Sequence, residues 1–569
     1  MPPSHIAVLG GGISGLSAAH HLARRYPTTL ITLLEKDSRL GGWIRSERMR
    51  VSDGAGNSAS VLLEVGPRHL KAPTRSRLHS AYVLELVNQL GIEDGIVKGP
   101  MPGAPDAMQL VSMPAVNANP STPAELMLLP DRWSDLDPWE HPSHRLLMRA
   151  AFSNVANGTR HHNYDLGNLS KAGRWLKGRS ASLLDENVQQ YLEKRFKNPV
   201  VADILGTAVV HGALAADARF LSVAIAFPDV YRLERLGVGS VVRGLIHERS
   251  FQYLFGSRYS KKHIPGELAR HGLDTGDLPE RLQDTAVFSF KQGLATLTDA
   301  LEHALLRCEN VRLLKGAAVD HIKGHGRGEF LIGITPDKKR KQPFPRMDSP
   351  PVSHLISTVP IPTLERLFQN GDRNPNDGKI FFPWTQPGSN HFPYASVVVV
   401  NLVFPPSDTP LHPPGLGFLV PRPANGYDSL PNRGILSVSF DSRNVGPAQD
   451  YALGEKTRGE VGSSRFTKMS VMLGGPFPLT PALVDPPTVV RNVSTYLGRD
   501  LPKPVLSRVH ILPRCFPAYT LGHSTKVQHV QKVARPAKVA VVGAGVAGAD
   551  VDTCVAVARA AALGKWLDE

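Results

Sequence analysis

The chain has 569 residues, 41% of them hydrophobic and 20% charged, with 51 Gly and 48 Pro, so it can bury a sizeable core and is excluded from the low-complexity and wholly disordered classes. Cys308, Cys515 and Cys554 stand far apart with no CxxC pair, which removes a disulfide framework, a thioredoxin-like centre and a cysteine-rich zinc site. The net charge of +15 draws the chain towards anionic lipid, nucleic acid or an acidic small molecule without choosing among them, and with no stretch of about 20 apolar residues any membrane contact is expected to be peripheral.

The first element is an apolar strand, Ile6-Ala-Val-Leu9, so early that no cleavable Arg- and Ser-rich leader is expected. It runs into Gly10-Gly11-Gly12-Ile13-Ser14-Gly15, which satisfies G-x-G-x-x-G and opens a helix. In that pattern Gly10 allows the tight turn, Gly12 lets a pyrophosphate approach the backbone and Gly15 lets helix and strand pack closely. A second strand, Leu30-Ile-Thr-Leu-Leu34, ends at Glu35, placed to accept hydrogen bonds from a ribose hydroxyl. Strand, glycines, helix, strand and acid in that order predict an adenine dinucleotide site.

A boundary is expected near residue 98, ahead of a proline-rich stretch over 100–140. Residues 141–235 read as helical, with Val188, Tyr191, Leu192 and Phe196 at helical spacing. Residues 250–283 and 335–390 lack periodicity and are read as loops or insertions, with Lys338-Lys339-Arg340-Lys341 a solvated run. Strands are expected over 397–400, 417–420, 436–440 and 539–542. A second G-x-G-x-x-G, Gly543 to Gly548, has too few residues after it for a complete site, so it is read as a strand, turn and final helix returning to the N-terminal unit.

After Glu35 the chain continues Lys36-Asp-Ser-Arg39-Leu40-Gly41-Gly42-Trp43-Ile44-Arg45-Ser46, which resembles the R-x-G-G-x-x-x-[ST] segment of the FAD-binding amine oxidase-like superfamily and favours FAD over NAD. With Glu64-Val-Gly66-Pro67-Arg68, Leu86 to Ile92, Asp185 to Val188, Ser289 to Leu294, Ile356 to Pro360, Val400-Asn401-Leu402, Gly415 to Pro421, Asp441-Ser442, Met472 to Gly475, Tyr519 to His523 and Asp552 to Val555, it resembles the protoporphyrinogen oxidase family over most of its length. The resemblance implies an α/β protein with three parts. These are a discontinuous Rossmann-type FAD-binding domain (1–97, 284–360 and 509–569), an α+β substrate domain (98–115, 251–283 and 361–508) and a helical membrane-docking lobe (116–250).

It also implies a set of flavin contacts: Gly10, Gly12, Ile13, Ser14, Gly15, Glu35, Lys36, Gly42, Trp43, Gly66, Pro67, Arg68, His69, Val319, Ala544, Ala549, Asp550 and Val551. Gly417, Phe418, Leu419, Val400 and Asn401 are read as walls of a flat tetrapyrrole pocket, with core packing as the alternative. The implied chemistry is oxidation of protoporphyrinogen IX to protoporphyrin IX, with the flavin supplying the difficult step and dioxygen reoxidising it to give peroxide. The implied location is peripheral, on the mitochondrial inner membrane, with room for a homodimer and for handover of product to ferrochelatase. No nucleic-acid partner, metal or acid–base side chain is expected, and His211, His391 and His523 are read as structural.

Two departures stand out. Relatives place an Arg before an aromatic residue where this chain reads Pro105-Asp106-Ala107-Met108-Gln109-Leu110-Val111, leaving Lys98 and Arg132 as the nearest cations in sequence for a substrate propionate. Asp550 replaces a small or apolar residue in the terminal loop, where a carboxylate near the flavin would disfavour its anionic reduced form. Coproporphyrinogen oxidation, another flavin oxidase activity and a catalytically silent FAD-fold protein therefore remain open alternatives.

Overall fold

The computed structural model describes residues 2–72, 79–101, 109–113, 125–128, 142–157, 185–237, 239–247, 272–285, 287–325, 328–336, 347–371, 391–428, 433–453 and 464–568. The elements that position the site are, in chain order, β1 (His5–Leu9), α1 (Ile13–Arg25), β2 (Leu30–Glu35), β3 (Ser46–Ser52), β4 (Ser58–Glu64), α2 (His79–Leu90), β5 (Gln109–Met113), β6 (Glu125–Leu128), α3 (Val188–Phe196) and α4 (Thr207–Leu214). They continue with α5 (Ala295–Leu306), β7 (Val311–Lys315), β8 (Ala317–His325), β9 (His354–Ser357), α6 (Ile361–Gly371), β10 (Tyr394–Phe404), β11 (Gly417–Leu419), β12 (Ile435–Ser439), β13 (Thr467–Gly474), α7 (Pro486–Leu497), β14 (Leu506–Pro517), β15 (Val539–Val541) and α8 (Val551–Ala562).

Five strands form a parallel sheet in the order β7-β2-β1-β9-β15. Such strands need apolar residues on both faces, and β1 buries every one of its residues. One face is covered by α1, α2, α5 and α8, whose Leu16, Leu22, Val83, Leu84, Leu297, Leu301, Val555 and Ala558 pack into one core. The other is covered by β8, the adjoining strand Glu329–Pro336 and α6, through Ile322, Phe330, Ile332, Leu364 and Phe368.

A second sheet has the order β14-β10-β13-β12-β11-β5-β6, antiparallel except for β11 and β5. Alternation along β10 divides its faces. Val398, Val400 and Leu402 pack under α7 with Val489, Val490 and Val493, while Val397 and Val399 join Val65, Leu436 and Met472 on the side of the first sheet. The β3–β4 hairpin lies on that same side.

Several expectations change. Residues 335–390, read as a loop, contain β9 and α6, and α6 buries Ile361, Leu364, Leu367 and Phe368 at helical spacing. That apolar stripe packs α6 against the parallel sheet, although position 361 was expected to open the substrate unit. Residues from 509 were expected to belong wholly with the flavin unit, yet β14 pairs with β10 because its register continues the antiparallel sheet. The helical reading over 141–235 meets α3, α4, the helices Pro142–Asn157, Val223–Ala226 and Pro228–Leu236, and a π-helical turn Val200–Gly206. The run 338–341 lies outside the described residues, as do Pro105 to Met108 and Arg132.

Candidate functional site

The parallel order reverses between β1 and β9, the place where a ligand crevice forms outside the C-terminal ends of such strands. Gly10 leaves β1 with φ +96°, in the region that favours glycine. A Cβ on Gly15 would lie 1.8 Å from the Gly10 carbonyl oxygen, so only glycine lets α1 begin this close to the strand. Gly41 N–H donates to the Gly11 carbonyl at 2.8 Å, which brings Gly42 over Gly12, the N-cap of α1. A Cβ on Gly12 would meet nothing nearer than Gly42 Cα at 3.9 Å. The two glycines thus pack backbone to backbone, a Cβ on Gly42 lying 3.0 Å from Gly12 Cα, and leave a slot without side chains beside them at the positive end of α1, an arrangement suited to a pyrophosphate. Arg39 braces the slot by donating to the carbonyl oxygens of Leu40, Gly42 and Ile44.

Glu35, buried at the end of β2, accepts from Gly11 N–H at 2.7 Å and Asp37 N–H at 2.8 Å. Its position beside the slot suits a ribose hydroxyl. Lys36 is exposed next to it, and Ile13 and Ser14 are buried in the first turn of α1. Val319 sits at an irregularity of β8, and the strand's start is tied to the same loop by Gly316 N–H donating to Asp37 O at 2.8 Å.

Farther along, Gly66 runs against the double-glycine turn, since a Cβ there would lie 2.0 Å from the Trp43 carbonyl oxygen. Trp43 itself is 43% exposed. The terminal segment approaches from the other side: a Cβ on Gly543 would come within 3.6 Å of Ser14 Oγ. Tyr519 donates its hydroxyl to Ala544 O at 2.8 Å, and His523 Nε2 bonds Gly545 O at 2.9 Å. Ala549 and Val551 flank Asp550, whose role is plain: it is the N-cap of α8, accepting from Thr553 N–H at 2.9 Å.

Sequence reading missed a polar network linking this crevice to the second sheet. Glu64 accepts from Ser46 Oγ and Leu294 N–H, both at 2.8 Å, and burial pushes its carboxyl up to about 7 despite these donors and the nearby Arg68 and Lys468. Asn401 donates to Glu64 O at 3.1 Å and to Ser470 Oγ at 2.7 Å. Ser470 and Ser439 both donate to Asp441, which lies 3.4 Å from Arg68 Nε. Below them Lys468 and Asp450 form a buried ion pair at 2.7 Å, each also bonded to the backbone of Leu62. The signal was an acid inside the apolar run of β4 and a lysine inside that of β13. Beside Arg68, His69 bonds Asn444 at 3.0 Å, and burial followed by the Arg68 and Lys71 charges lowers its pKa to about 4.

The expected pocket walls divide by face. Asn401, Gly417 and Leu419 lie on the face turned to Glu64 and α4; a Cβ on Gly212 of α4 would meet Leu419 at 2.4 Å. Val400 and Phe418 are fully buried on the opposite face with α7, so they are core and cannot wall a cavity at the crevice. Val399, Leu436 and Met472 occupy the crevice side instead. Gln109 shares its register position with Gly417 and donates to Gly417 O at 2.7 Å, which puts a neutral amide there. Lys98 is exposed on the separate strand Ile96–Lys98. His211 has both ring nitrogens occupied, by Val420 O at 2.7 Å and Tyr427 hydroxyl at 2.9 Å; His391 offers its carbonyl to Lys526.

The sequence model for flavin containing amine oxidoreductases matches residues 13–466. The chain belongs to that family. Its cofactor is FAD, and the backbone free of side chains at Gly12 and Gly42, with Glu35 beside it, suits the dinucleotide part of that molecule. The chain is 25% identical to a protoporphyrinogen oxidase of Schizosaccharomyces pombe, spanning 92% of this chain and 90% of that one. It is 27% identical to a protoporphyrinogen oxidase of Homo sapiens, spanning 98% and 97%. A solved structure from Exiguobacterium shares the fold with a TM-score of 0.64 at 19% identity, with full coverage of both chains. Cyclohexylamine oxidase of Brevibacterium oxydans has a TM-score of 0.55 at 15% identity, covering 99% of this chain and 98% of that one.

Proposed function

We propose that this flavoenzyme oxidises protoporphyrinogen IX to protoporphyrin IX, with dioxygen as acceptor and hydrogen peroxide as product. The carrying observation is similarity along nearly the whole chain to proteins named for that reaction. In this reading Gly10, Gly12 and Gly15 seat the pyrophosphate, Glu35 the ribose, and Gly42, Trp43, Gly66 to His69, Ala544 and Ala549 to Val551 run along the rest of the cofactor. Bound FAD supplies the two-electron acceptor. The chain's part is to orient the substrate: the apolar cluster of Val399, Leu436 and Met472 backs the crevice side of the second sheet and keeps water from it, with the half-buried Leu419 beside it. Arg68, set by Asp441, places a cation beside that cluster.

The test is turnover of protoporphyrinogen IX by flavin-loaded protein, followed by porphyrin fluorescence, oxygen uptake and peroxide formation against an air-oxidation control. Coproporphyrinogen in a parallel assay separates the related activity. No conversion of either substrate above the control would overturn the oxidase reading in favour of a silent FAD-fold protein.

The same reading makes the protein a peripheral one of the mitochondrial inner membrane. Among the described residues no helix is long and apolar enough to cross a membrane. The helical stretch carries Phe152, Phe220, Leu236 and Ile246 exposed, and an Arabidopsis thaliana relative is named as chloroplastic/mitochondrial. Flotation with anionic vesicles is expected to fall when Phe152 and Phe220 are changed to Ser; unchanged flotation would move the contact elsewhere.

A further inference from the structure

A groove separate from the flavin crevice runs between β3 and β14, which are terminal strands of their sheets among the described residues. It encloses about 600 Å³ and is lined by Arg45, Glu47, Arg48, Met49, Arg508, Val509 and His510. None of these belongs to the residues assigned above to the dinucleotide slot.

Its charges are unequally compensated. Arg45 is neutralised by Glu47 at 2.6 Å. Arg48 is fixed only by neutral acceptors: the Gln292 side chain at 3.1 Å, Lys291 O at 3.0 Å, Gln449 O at 3.1 Å and Ser60 at 3.4 Å. Arg508 is exposed with no hydrogen-bond or ion-pair partner among the described residues. His510 Nε2 is buried and has no partner, which costs free energy unless a ligand supplies one. The uncompensated charge of Arg508 and an orphan ring nitrogen therefore face a groove whose remaining surface includes the apolar Met49 and the 40% exposed Val509, while the Arg48 guanidinium is turned to acceptors outside the groove. Such a surface selects an anion carrying an apolar body, with the carboxylate or phosphate towards Arg508.

We propose that this groove is a second binding site for an amphiphilic carboxylate, and, resting on the function proposed above, that it takes the propionate edge of the tetrapyrrole outside the catalytic cavity. His510 and Arg508 pair in register with Val399 and Asn401, so the groove lies on the crevice side of the second sheet, at its edge. A porphyrin there is held by one rim while its ring rests on Met49.

The experiment is a fluorescence titration of the holoenzyme with protoporphyrin IX, its dimethyl ester and inorganic phosphate as competitor, in low and high salt. Arg508→Glu should weaken a salt-sensitive porphyrin-binding phase at least tenfold, while His510→Gln, a milder change, weakens it severalfold. Flavin content and melting temperature, kept as in the wild type, show that both variants fold. Displacement by phosphate at concentrations where the ester fails to bind supports the anion site; absence of any salt-sensitive porphyrin phase in the wild type overturns the tetrapyrrole assignment. Equal binding of acid and ester, or equal affinity in wild type and both variants, overturns the proposal as well. Turnover measured in the same samples keeps the outcomes separate, since absence of this phase in the wild type with turnover intact rejects the groove and not the oxidase.

Discussion

At Gly12 and Gly15 one substitution has two different consequences. A Cβ at Gly15 collides with the Gly10 backbone at 1.8 Å, whereas one at Gly12 enters a slot where the nearest atom is 3.9 Å away. Gly15→Ala should therefore lose the fold with the flavin, whereas Gly12→Ala should leave the apoprotein's melting temperature within a degree or two and lower flavin content severalfold; equal flavin retention in both variants would refute the slot. The buried pair Lys468–Asp450 behaves otherwise. Lys468→Met leaves a buried carboxylate facing only the Leu62 N–H, and a loss of about 3–5 kcal/mol in denaturant unfolding is expected. The glycine slot was legible because glycines at that spacing, between an apolar strand and a helix, serve close backbone approach and little else. The ion pair was not, because Lys468 stands out only as a charge within an apolar run, Asp450 reads locally as a surface charge, and only long-range strand packing brings the two together under β4.

Helix and strand boundaries carry the next level of consequence. A carboxylate at position 550 would burden a reduced flavin if it faced the ring, but as the N-cap of α8 Asp550 satisfies the Thr553 N–H. Asp550→Ala should cost about 1 kcal/mol of stability, while Asp550→Asn keeps the acceptor and most of that stability. If the carboxylate acts only as a cap, the Asn variant also keeps the wild-type flavin absorption spectrum and reduction potential; a shifted potential would show that its charge reaches the ring. The strands show where reading by pattern stops. The positions of β10, β11, β12 and β15 follow from apolar runs, yet a run such as Val397 to Val400 is apolar on both faces and does not say which side meets the crevice. The register with β13 and β14, set by residues far along the chain, decided that Val400 is core and Asn401 is not. Likewise α6 was hidden by the unpatterned residues around it.

Across the whole molecule, buried titratable groups set a pH profile that no single element contains. Burial lowers His21 to about 3 and His69, His211, His354 and His523 to about 4, against 6.5 in the unfolded chain. Each is neutral when folded, so the stability it contributes is fully present above pH 6.5 and is lost as the pH falls towards the folded value, at up to about 1.4 kcal/mol per pH unit. Glu64 works in the opposite sense. Its folded value of about 7 exceeds the ordinary 4.5, so its contribution is complete below 4.5 and is lost as the pH rises through 7. Between pH 7 and 5.5 these five histidines together remove about 6 kcal/mol and Glu64 returns about 1.5, for a net loss of roughly 4–5 kcal/mol. The melting temperature of the wild type should therefore fall over that interval. In Glu64→Gln the compensating carboxyl is gone, so the fall should be steeper by an amount equivalent to about 1.5 kcal/mol. Parallel melting curves for wild type and variant from pH 7 to 5.5 would show that Glu64 does not titrate in the folded protein near neutrality, and a wild-type curve flat over the same interval would remove the histidines from the account.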